Sequence, residues 1–359
     1  MSFRWPCFAL VLPLLTGLAV PAAFGQLPPS PDAPPVSNFP NTSTDQEANP
    51  SETLKVNVNL VSLYFTVRDK HNGLVANLIK DDCNIFEDKQ PQTVKNFTAE
   101  TDLPLTLGIL LDTSGSQQNV LQMEQQAADN FLKQVLRKKD EAFLVTFDVN
   151  VNLEQDFTNS PSLLARAIDH TEINTAGGNG AAGVPGIGTG PVPVHGTPKG
   201  TLLYDAVDLA SNDKLRSETG RKALILLTDG EDQGSETKPG KAIEAAQKSN
   251  AIVYVLLIAD RGAYFNYGGF YTGDAQMRKL AEDTGGRVIN VGNNGKKMED
   301  AFAQIEEELR TQYLASYTPT NKALDGSYRK VDIFCKGDGL KVQSRKGYYA
   351  VGNTEDDAQ

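Results

Sequence analysis

The chain has 359 residues, with 45 acidic against 34 basic side chains, three Cys, three His and one Trp. A hydrophobic content of 40% and a charged content of 22% are those of a folded protein, and the length sets a starting expectation of about two domains. The net charge of -11 excludes a basic nucleic-acid face and polybasic docking on anionic lipid, and the scattered Cys and His, without CxxC or HExxH spacing, exclude zinc-finger, zinc-protease and iron–sulfur chemistry.

Arg4 precedes an apolar run from Phe8 to Phe24 that Pro13 and Pro21 interrupt, and Ala23-Phe24-Gly25 supplies small residues for cleavage. Residues 1–25 therefore read as a secretory signal peptide, too broken to serve as a membrane anchor. Cleavage would leave a secreted or periplasmic protein with no membrane-inserted segment. Its only thiols would be Cys83 and Cys335. Residues 26–52 hold seven of the 19 Pro and read as a disordered linker. Asn41-Thr42-Ser43 and Asn96-Phe97-Thr98 fit the N-glycosylation sequon.

Residues 53–102 carry strand patterns and no helical period. The strands fall at Val56–Val67, Asn84–Asp88 and Gln92–Phe97. From Leu103 the texture changes. Continuous apolar runs at Leu105–Leu111, Ala142–Phe147, Ala223–Leu227 and Ile252–Ile258, with a shorter strand at Arg287–Ile289, are expected of strands buried on both faces. Helical patterns separate them at Asn119–Arg137, Leu163–Ile168, Leu202–Ala210, Ala242–Gln247, Met277–Ala281 and Met298–Leu309. Such alternation predicts a parallel sheet covered on both faces, with its binding crevice beyond the carboxyl ends of the strands.

After Arg310 short strands return at Tyr313–Tyr317, Tyr328–Phe334 and Leu340–Ser344, followed from residue 352 by an acidic tail. The two β segments, 53–102 and 311–351, are each too small for a core of their own. They are expected to pair into one β-sandwich-like domain with residues 103–310 inserted between them. Cys83 and Cys335 lie one on each segment and read either as a disulfide in an oxidising compartment or as two buried thiols.

Three elements at strand ends carry chemistry. Asp112-Thr113-Ser114-Gly115-Ser116 follows the first buried strand, Thr201 opens a helix, and Thr228-Asp229-Gly230 follows a later buried strand. Singly, each reads as a helix cap or a turn. Together they offer two carboxylates and three hydroxyls to one crevice. An all-oxygen set suits a hard cation, Mg²⁺ first, with Mn²⁺ or Ca²⁺ as alternatives.

Asp112-x-Ser114-x-Ser116, then Thr201, then Asp229 resembles the metal-ion-dependent adhesion site of von Willebrand factor type A domains. Gly200-Thr201-Leu202-Leu203-Tyr204-Asp205-Ala206 and Leu227-Thr228-Asp229-Gly230 extend the resemblance over about residues 103–310. The flanks, with Phe86-Glu87-Asp88-Lys89-Gln90-Pro91-Gln92 and Arg345-Lys346-Gly347-Tyr348-Tyr349-Ala350, are similar to a secreted bacterial subgroup described only as von Willebrand factor A-related. The resemblance implies a doubly wound, mostly parallel α/β fold. It implies that Ser114, Ser116 and Thr201 bind the metal directly and Asp112 and Asp229 partly through water. It also implies that a carboxylate of a protein partner completes the shell, and that the last helix, Met298–Leu309, shifts in some relatives.

An adhesion-type binding module is therefore the expected function, and no enzyme. The alternatives are a metal-assisted hydrolase and a structural or assembly component of an envelope complex. The hydrolase lacks a GxSxG elbow, a phosphate-cradling GxxxxGK[ST] loop and the second Asp of a DxDx loop. Two loops stand out near the crevice. Asn174 to Gly200 contains nine Gly, and Tyr264-Phe265-Asn266-Tyr267-Gly268-Gly269-Phe270-Tyr271 is aromatic.

Overall fold

The computed structural model describes residues 60–99, 103–174, 200–258 and 273–351. The signal-peptide, linker and acidic-tail readings, the sequon at Asn41, most of the Gly-rich loop and the aromatic loop lie outside the described residues.

A six-stranded sheet organises the centre. β5 (Leu105–Asp112), β6 (Glu141–Phe147), β8 (Arg221–Thr228), β9 (Ala251–Leu257) and β10 (Val288–Asn290) are parallel, and β7 (Val151–Thr158) closes one edge antiparallel to β6. The spatial order is β10-β9-β8-β5-β6-β7. β5 and β8 are buried at every residue, as their unbroken apolar runs require. Gly108 lies at the middle of β5, where an added Cβ would come within 2.5 Å of Leu224 and Phe143. The absent side chain lets the two neighbouring strands pack their large residues over this point.

The helices divide between the two faces. α1 (Leu121–Val135), α2 (Pro161–Asp169) and α6 (Gly295–Arg310) cover one face through Phe131, Leu132, Leu164, Phe302 and Ile305. Phe131 and Phe302 stack at 4.6 Å between α1 and α6. α3 (Leu203–Leu209), α4 (Pro239–Lys248) and α5 (Gly273–Thr284) cover the other through Leu203, Val207, Ile243, Met277 and Leu280. This is the doubly wound α/β fold. The direction of winding reverses between β5 and β8, the place where such sheets open a crevice at the strands' carboxyl ends.

The flanks combine into two four-stranded sheets. One has the order β13-β1-β11-β4, from Lys341–Ser344, Val61–Arg68, Tyr313–Tyr317 and Val94–Ala99. The other has the order β14-β12-β2-β3, from Gly347–Tyr349, Tyr328–Cys335, Cys83–Glu87 and Gln90–Gln92. Each sheet draws strands from both sides of the α/β unit. Their inner faces share one core that includes Leu63, Phe65, Ile85, Tyr317, Val331 and Ile333. Buried within it, Glu87 accepts hydrogen bonds from Tyr317 (2.8 Å), Tyr348 (2.8 Å) and Arg329 (3.2 Å). Cys83 and Cys335 stand opposite each other on β2 and β12 and are joined by an S–S bond.

A second buried carboxylate joins the β sheets to the α/β unit. Glu308 of α6 is fully buried and receives Arg68 of β1 and Arg287, which precedes β10, each at 2.5 Å. Gln343 of β13 donates to its other oxygen at 3.0 Å. Arg221 donates from the start of β8 to the carbonyl of Leu309. The C-terminal turn of α6 is thereby held from four directions.

The structure adds to the sequence reading at two points. β7 was not expected: its alternation is polar, and only Val151, Leu153 and Phe157 of its eight residues are apolar. It forms because β6 would otherwise be an open edge. β14, only three residues long, is recruited by β12 in the same way.

The disulfide closes a loop of 252 residues. By the chain-entropy relation its loss would cost about 5 kcal/mol. Replacing Cys335 by Ser is expected to lower the urea midpoint of the protein accordingly. Unchanged mobility on reduction in a denaturing gel, together with an unchanged midpoint, would show that the bond does not form.

Candidate metal centre

The site is assembled at the reversal of the sheet. Asp112 ends β5 and is fully buried. Parallel pairing sets Leu111 against Leu227, so Asp112 faces the end of β8. There Thr228 donates its hydroxyl to Asp112 Oδ2 at 2.6 Å. Asp112 Oδ1 accepts from the backbone N–H of Ser114 (3.0 Å) and from the Ser114 hydroxyl (2.6 Å). Ser114 Oγ lies 3.0 Å from Ser116 Oγ, and Gln117 Nε2 donates to Ser116 at 3.3 Å. Ser114 is buried and Ser116 exposed, so this chain of oxygens runs from the interior to the surface.

The competing cap readings are not realised. Ser114 occupies the N-cap position of a short 3₁₀ turn, yet its side chain caps nothing. Its hydroxyl is turned to Asp112 instead. α3 has Leu202, not Thr201, at its N-cap.

Asp229 follows β8 directly and is buried. Its Oδ1 accepts from the N–H of Glu231 at 3.1 Å. The turn depends on Gly230, whose φ of +85° is in the left-handed region that glycine adopts without strain. Gly273, at the start of α5, approaches the same turn so closely that an added Cβ would lie 2.5 Å from the Gly230 carbonyl oxygen.

Thr201 is brought in by two loops that sequence reading did not connect. Gln233 donates its N–H to the Thr201 carbonyl at 2.9 Å and accepts from Gly200 N–H at 2.6 Å. Asp232 accepts from the N–H of Leu203 at 3.1 Å and so caps α3. On the other side, Leu202 N–H donates to the carbonyl of Asp148 at 2.8 Å. The Asp148 carboxylate accepts from the Thr113 hydroxyl (2.8 Å) and from the Asn174 side-chain amide (3.0 Å). Asp148 thus fastens the loop after β5 to the segment that carries Thr201. Its signal in the sequence was its place directly after the strand Ala142–Phe147, at the same sheet edge as Asp112 and Asp229.

One charged residue near the site escaped the sequence reading altogether. Glu124 lies on the buried face of α1, on the stripe that also holds Val120, Ala127, Phe131 and Val135. Its spacing from Val120 and Ala127 was the available signal.

The electrostatics follow from burial. The Asp112 carboxyl is pushed up to about 7, first by burial and next by the neighbouring charge of Asp229. The hydroxyls of Ser114 and Thr228 and the Ser114 N–H offset only part of this. Glu124 is held well above the usual carboxylate range, by burial first and then by Asp112 and Asp229. Acidic groups that resist ionisation at neutral pH, set among hydroxyl oxygens, form a donor set that a hard divalent cation fits.

No family model matches the chain. Calcium-activated chloride channel regulator 3A-1 of Mus musculus is 25% identical over 221 residues, covering 60% of this chain and 21% of that protein. The chain therefore spans about a fifth of the length of that curated relative. Among solved structures, the conserved hypothetical protein BatB from Bacteroides thetaiotaomicron has a TM-score of 0.41 at 16% identity, over 57% of this chain and 99% of that one. Proximal thread matrix protein 1 from the mussel byssus, in a structure with a zinc-occupied MIDAS motif, has a TM-score of 0.44 at 14% identity, over 62% of this chain and 50% of that one. The PilB minor pilin of Streptococcus sanguinis has a TM-score of 0.39 at 14% identity, over 60% and 63%. The resemblance to von Willebrand factor type A domains extends from motif to architecture. The α/β unit has the doubly wound sheet that the motif implied, with the motif's loops at its reversal. Among the described residues no helix is long and apolar enough to cross a membrane.

A pH dependence follows for the metal-free protein. Asp112 binds its proton more tightly in the folded state than in the unfolded chain, where the carboxyl titrates near 3.8. Below that value both states are protonated and the group is neutral toward stability. As pH rises toward about 7 the unfolded chain ionises first, so stability falls across this window. Urea midpoints measured in EDTA are expected to decline from pH 4 to pH 7, and Asp112→Asn is expected to flatten the decline.

Proposed function

We propose that the protein is a secreted or periplasmic binding module that uses a divalent cation to hold an acidic side chain of a protein partner. The cation would be held by Asp112, Ser114, Ser116, Thr201 and Asp229, with Mg²⁺ the first candidate and Mn²⁺ or Ca²⁺ next. One observation carries the reading: Asp112 is fully buried beside Asp229, and the hydrogen bonds to its carboxylate come from neutral hydroxyls and a backbone N–H. A buried carboxylate without a cationic partner is costly, and a bound cation removes that cost.

The division of labour among the residues is set by their burial. Asp112 and Asp229 fix the charge of the site from below. The Ser114 hydroxyl donates to Asp112 and therefore accepts from Ser116, which leaves one lone pair of its oxygen to face a cation. Exposed Ser116 sits at the mouth, where a partner would approach. A cation bound by three neutral hydroxyls retains enough positive charge to attract a further carboxylate. Asp148 and Gln233 hold Thr201 in place and touch neither partner nor metal in this scheme.

The fold neighbours point the same way in kind, since one of them carries an occupied MIDAS motif. The binding reading itself rests on the donor set. Nothing among the described residues favours the hydrolase alternative.

Thermal unfolding of the protein in EDTA and in Mg²⁺ tests the site. Metal at ten times its dissociation constant is expected to stabilise the protein by about 1.4 kcal/mol. Asp112→Ala is expected to abolish the shift. An absent shift in the wild type, or an equal one in the variant, would exclude the cation site. Metal-dependent turnover of phosphoester or peptide libraries that is lost in Ser114→Ala would replace the binding reading with the enzymatic one.

A further inference from the structure

The two flanking sheets use their outer faces differently. The β13-β1-β11-β4 sheet turns its outer face to the α/β unit: Tyr64 packs against that unit's core and Arg68 reaches Glu308. The outer face of the β14-β12-β2-β3 sheet stays largely in solvent. β12 alternates along its length, with Arg329, Val331 and Ile333 inward and Tyr328, Lys330, Asp332 and Phe334 outward. Phe334 is 61% exposed and Tyr328 43%. A sheet face turned to water ordinarily carries polar residues at such places. α4 approaches this face at one end, where Lys248 Nζ lies 5.3 Å from the centre of the Tyr349 ring.

Neighbouring strands extend the two aromatic ends of this row. Phe86 of β2 lies edge-on to Phe334, with ring centres 5.8 Å apart, and Pro91 of β3 stands opposite Phe86. Tyr349 of β14 stands opposite Tyr328, with ring centres 5.3 Å apart. The Tyr328 ring lies across Gly347, where an added Cβ would come within 2.4 Å of it. The two flank motifs meet on this face: one supplies Phe86 and Pro91, the other Gly347 and Tyr349. Between the aromatic pairs, Lys330 is bound to Asp332 at 3.0 Å, with both side chains partly exposed. Such a pair contributes little to the stability of a single chain.

We propose that this face is an isologous interface between two copies of the chain. Along β12 the outward row reads aromatic, cation, anion, aromatic. A two-fold axis that sets two such rows antiparallel brings Tyr328 onto Phe334 of the second copy and Lys330 onto Asp332 of the second copy. Each copy makes the same contacts, so the row is complementary to itself in chemistry and in charge. A parallel arrangement would instead oppose Lys330 to Lys330 and Asp332 to Asp332. The edges of this sheet offer less to a second copy, since β3 and β14 have three residues each and β3 contains Pro91. The outward row spans about 20 Å and the four strands about 19 Å. A footprint of that size belongs to weak, reversible association. None of these residues belongs to the candidate cation site, so the dimer carries two such sites.

Sedimentation equilibrium of the full chain over a wide concentration range tests the interface. The wild type is expected to associate reversibly to a dimer. Lys330→Glu and Asp332→Lys are each expected to weaken the dimer by about tenfold or more, because each sets like charges against one another. The double variant Lys330→Glu/Asp332→Lys reverses both charges and is expected to regain the dimer. Phe334→Ser is expected to weaken it by loss of the aromatic contact. Melting curves of the charge variants are expected to match the wild type, since the substituted side chains face outward. Should Phe334→Ser not fold, the three charge variants decide. A wild type that stays monomeric at every concentration would overturn the interface and leave this face to a different partner. A dimer that both single charge variants leave intact would lie on another face and overturn it equally. So would a double variant that keeps its fold and stays monomeric.

Discussion

Burial of negative charge at the reversal of the central sheet is the constraint around which the α/β unit is arranged. Asp112 and Asp229 are there because β5 and β8 are adjacent parallel strands that end in register. The strands themselves are covered on both faces, so their last residues have little access to water. A carboxylate at such a position must find a cation, find hydrogen bonds, or keep its proton. The protein supplies hydroxyls and raises the proton affinity of Asp112. This arrangement tolerates the metal-free state, and on the proposed function a bound cation would offset the remaining cost.

The loops around the site make sense on the same ground. Thr228 would be an ordinary strand residue but for its hydroxyl bond to Asp112, and it also accepts the N–H of Gly230 at 3.0 Å. One threonine therefore fixes both the first carboxylate and the turn that presents the second. Asp148 and Gln233 then hold the Thr201 segment from either side through backbone and side-chain bonds. Far from the site, the C-terminal end of α6 is fixed by Glu308 and by Arg221. Breaking a buried pair of this kind typically costs 3–5 kcal/mol. Any displacement of the end of α6 would first have to release Glu308 from Arg68 and Arg287, which couples that helix to the β sheets.

The extent to which this was legible in the sequence follows the physics of each feature. The buried strands were readable because a parallel sheet covered on both faces demands continuous apolar runs, and Leu105–Leu111 or Ala223–Leu227 have no other simple reading. The five residues of the proposed cation site form a spaced motif at strand ends, and the structure links three of them, Asp112, Ser114 and Ser116, by hydrogen bonds. β7 and β14 were not, because an edge strand needs little apolar pattern of its own and is stabilised by its neighbour's open hydrogen bonds. Asp148 and Gln233 were missed because they join loops distant in sequence, Gln233 through its backbone and Asp148 through both its backbone carbonyl and its carboxylate. Glu124 was missed for the opposite reason. It stands inside a pattern that was read, and a helical stripe of mainly apolar residues is normally taken as core without asking which member carries charge.

The charge of the whole chain bears on how any acidic partner could be recognised. A net charge of -11 sets up a repulsive field at long range for such a partner. At physiological ionic strength that field is screened beyond about 8 Å, whereas a contact made at the metal is not. On the proposed function, attraction would therefore be local, between one carboxylate and one cation. Salt should then affect the two contributions differently, weakening the general repulsion while leaving the metal contact largely intact. Association with an acidic partner would be held constant or strengthened by moderate salt, the reverse of a complex formed between oppositely charged surfaces. The acidic surface, in this view, selects against carboxylates that cannot reach the metal.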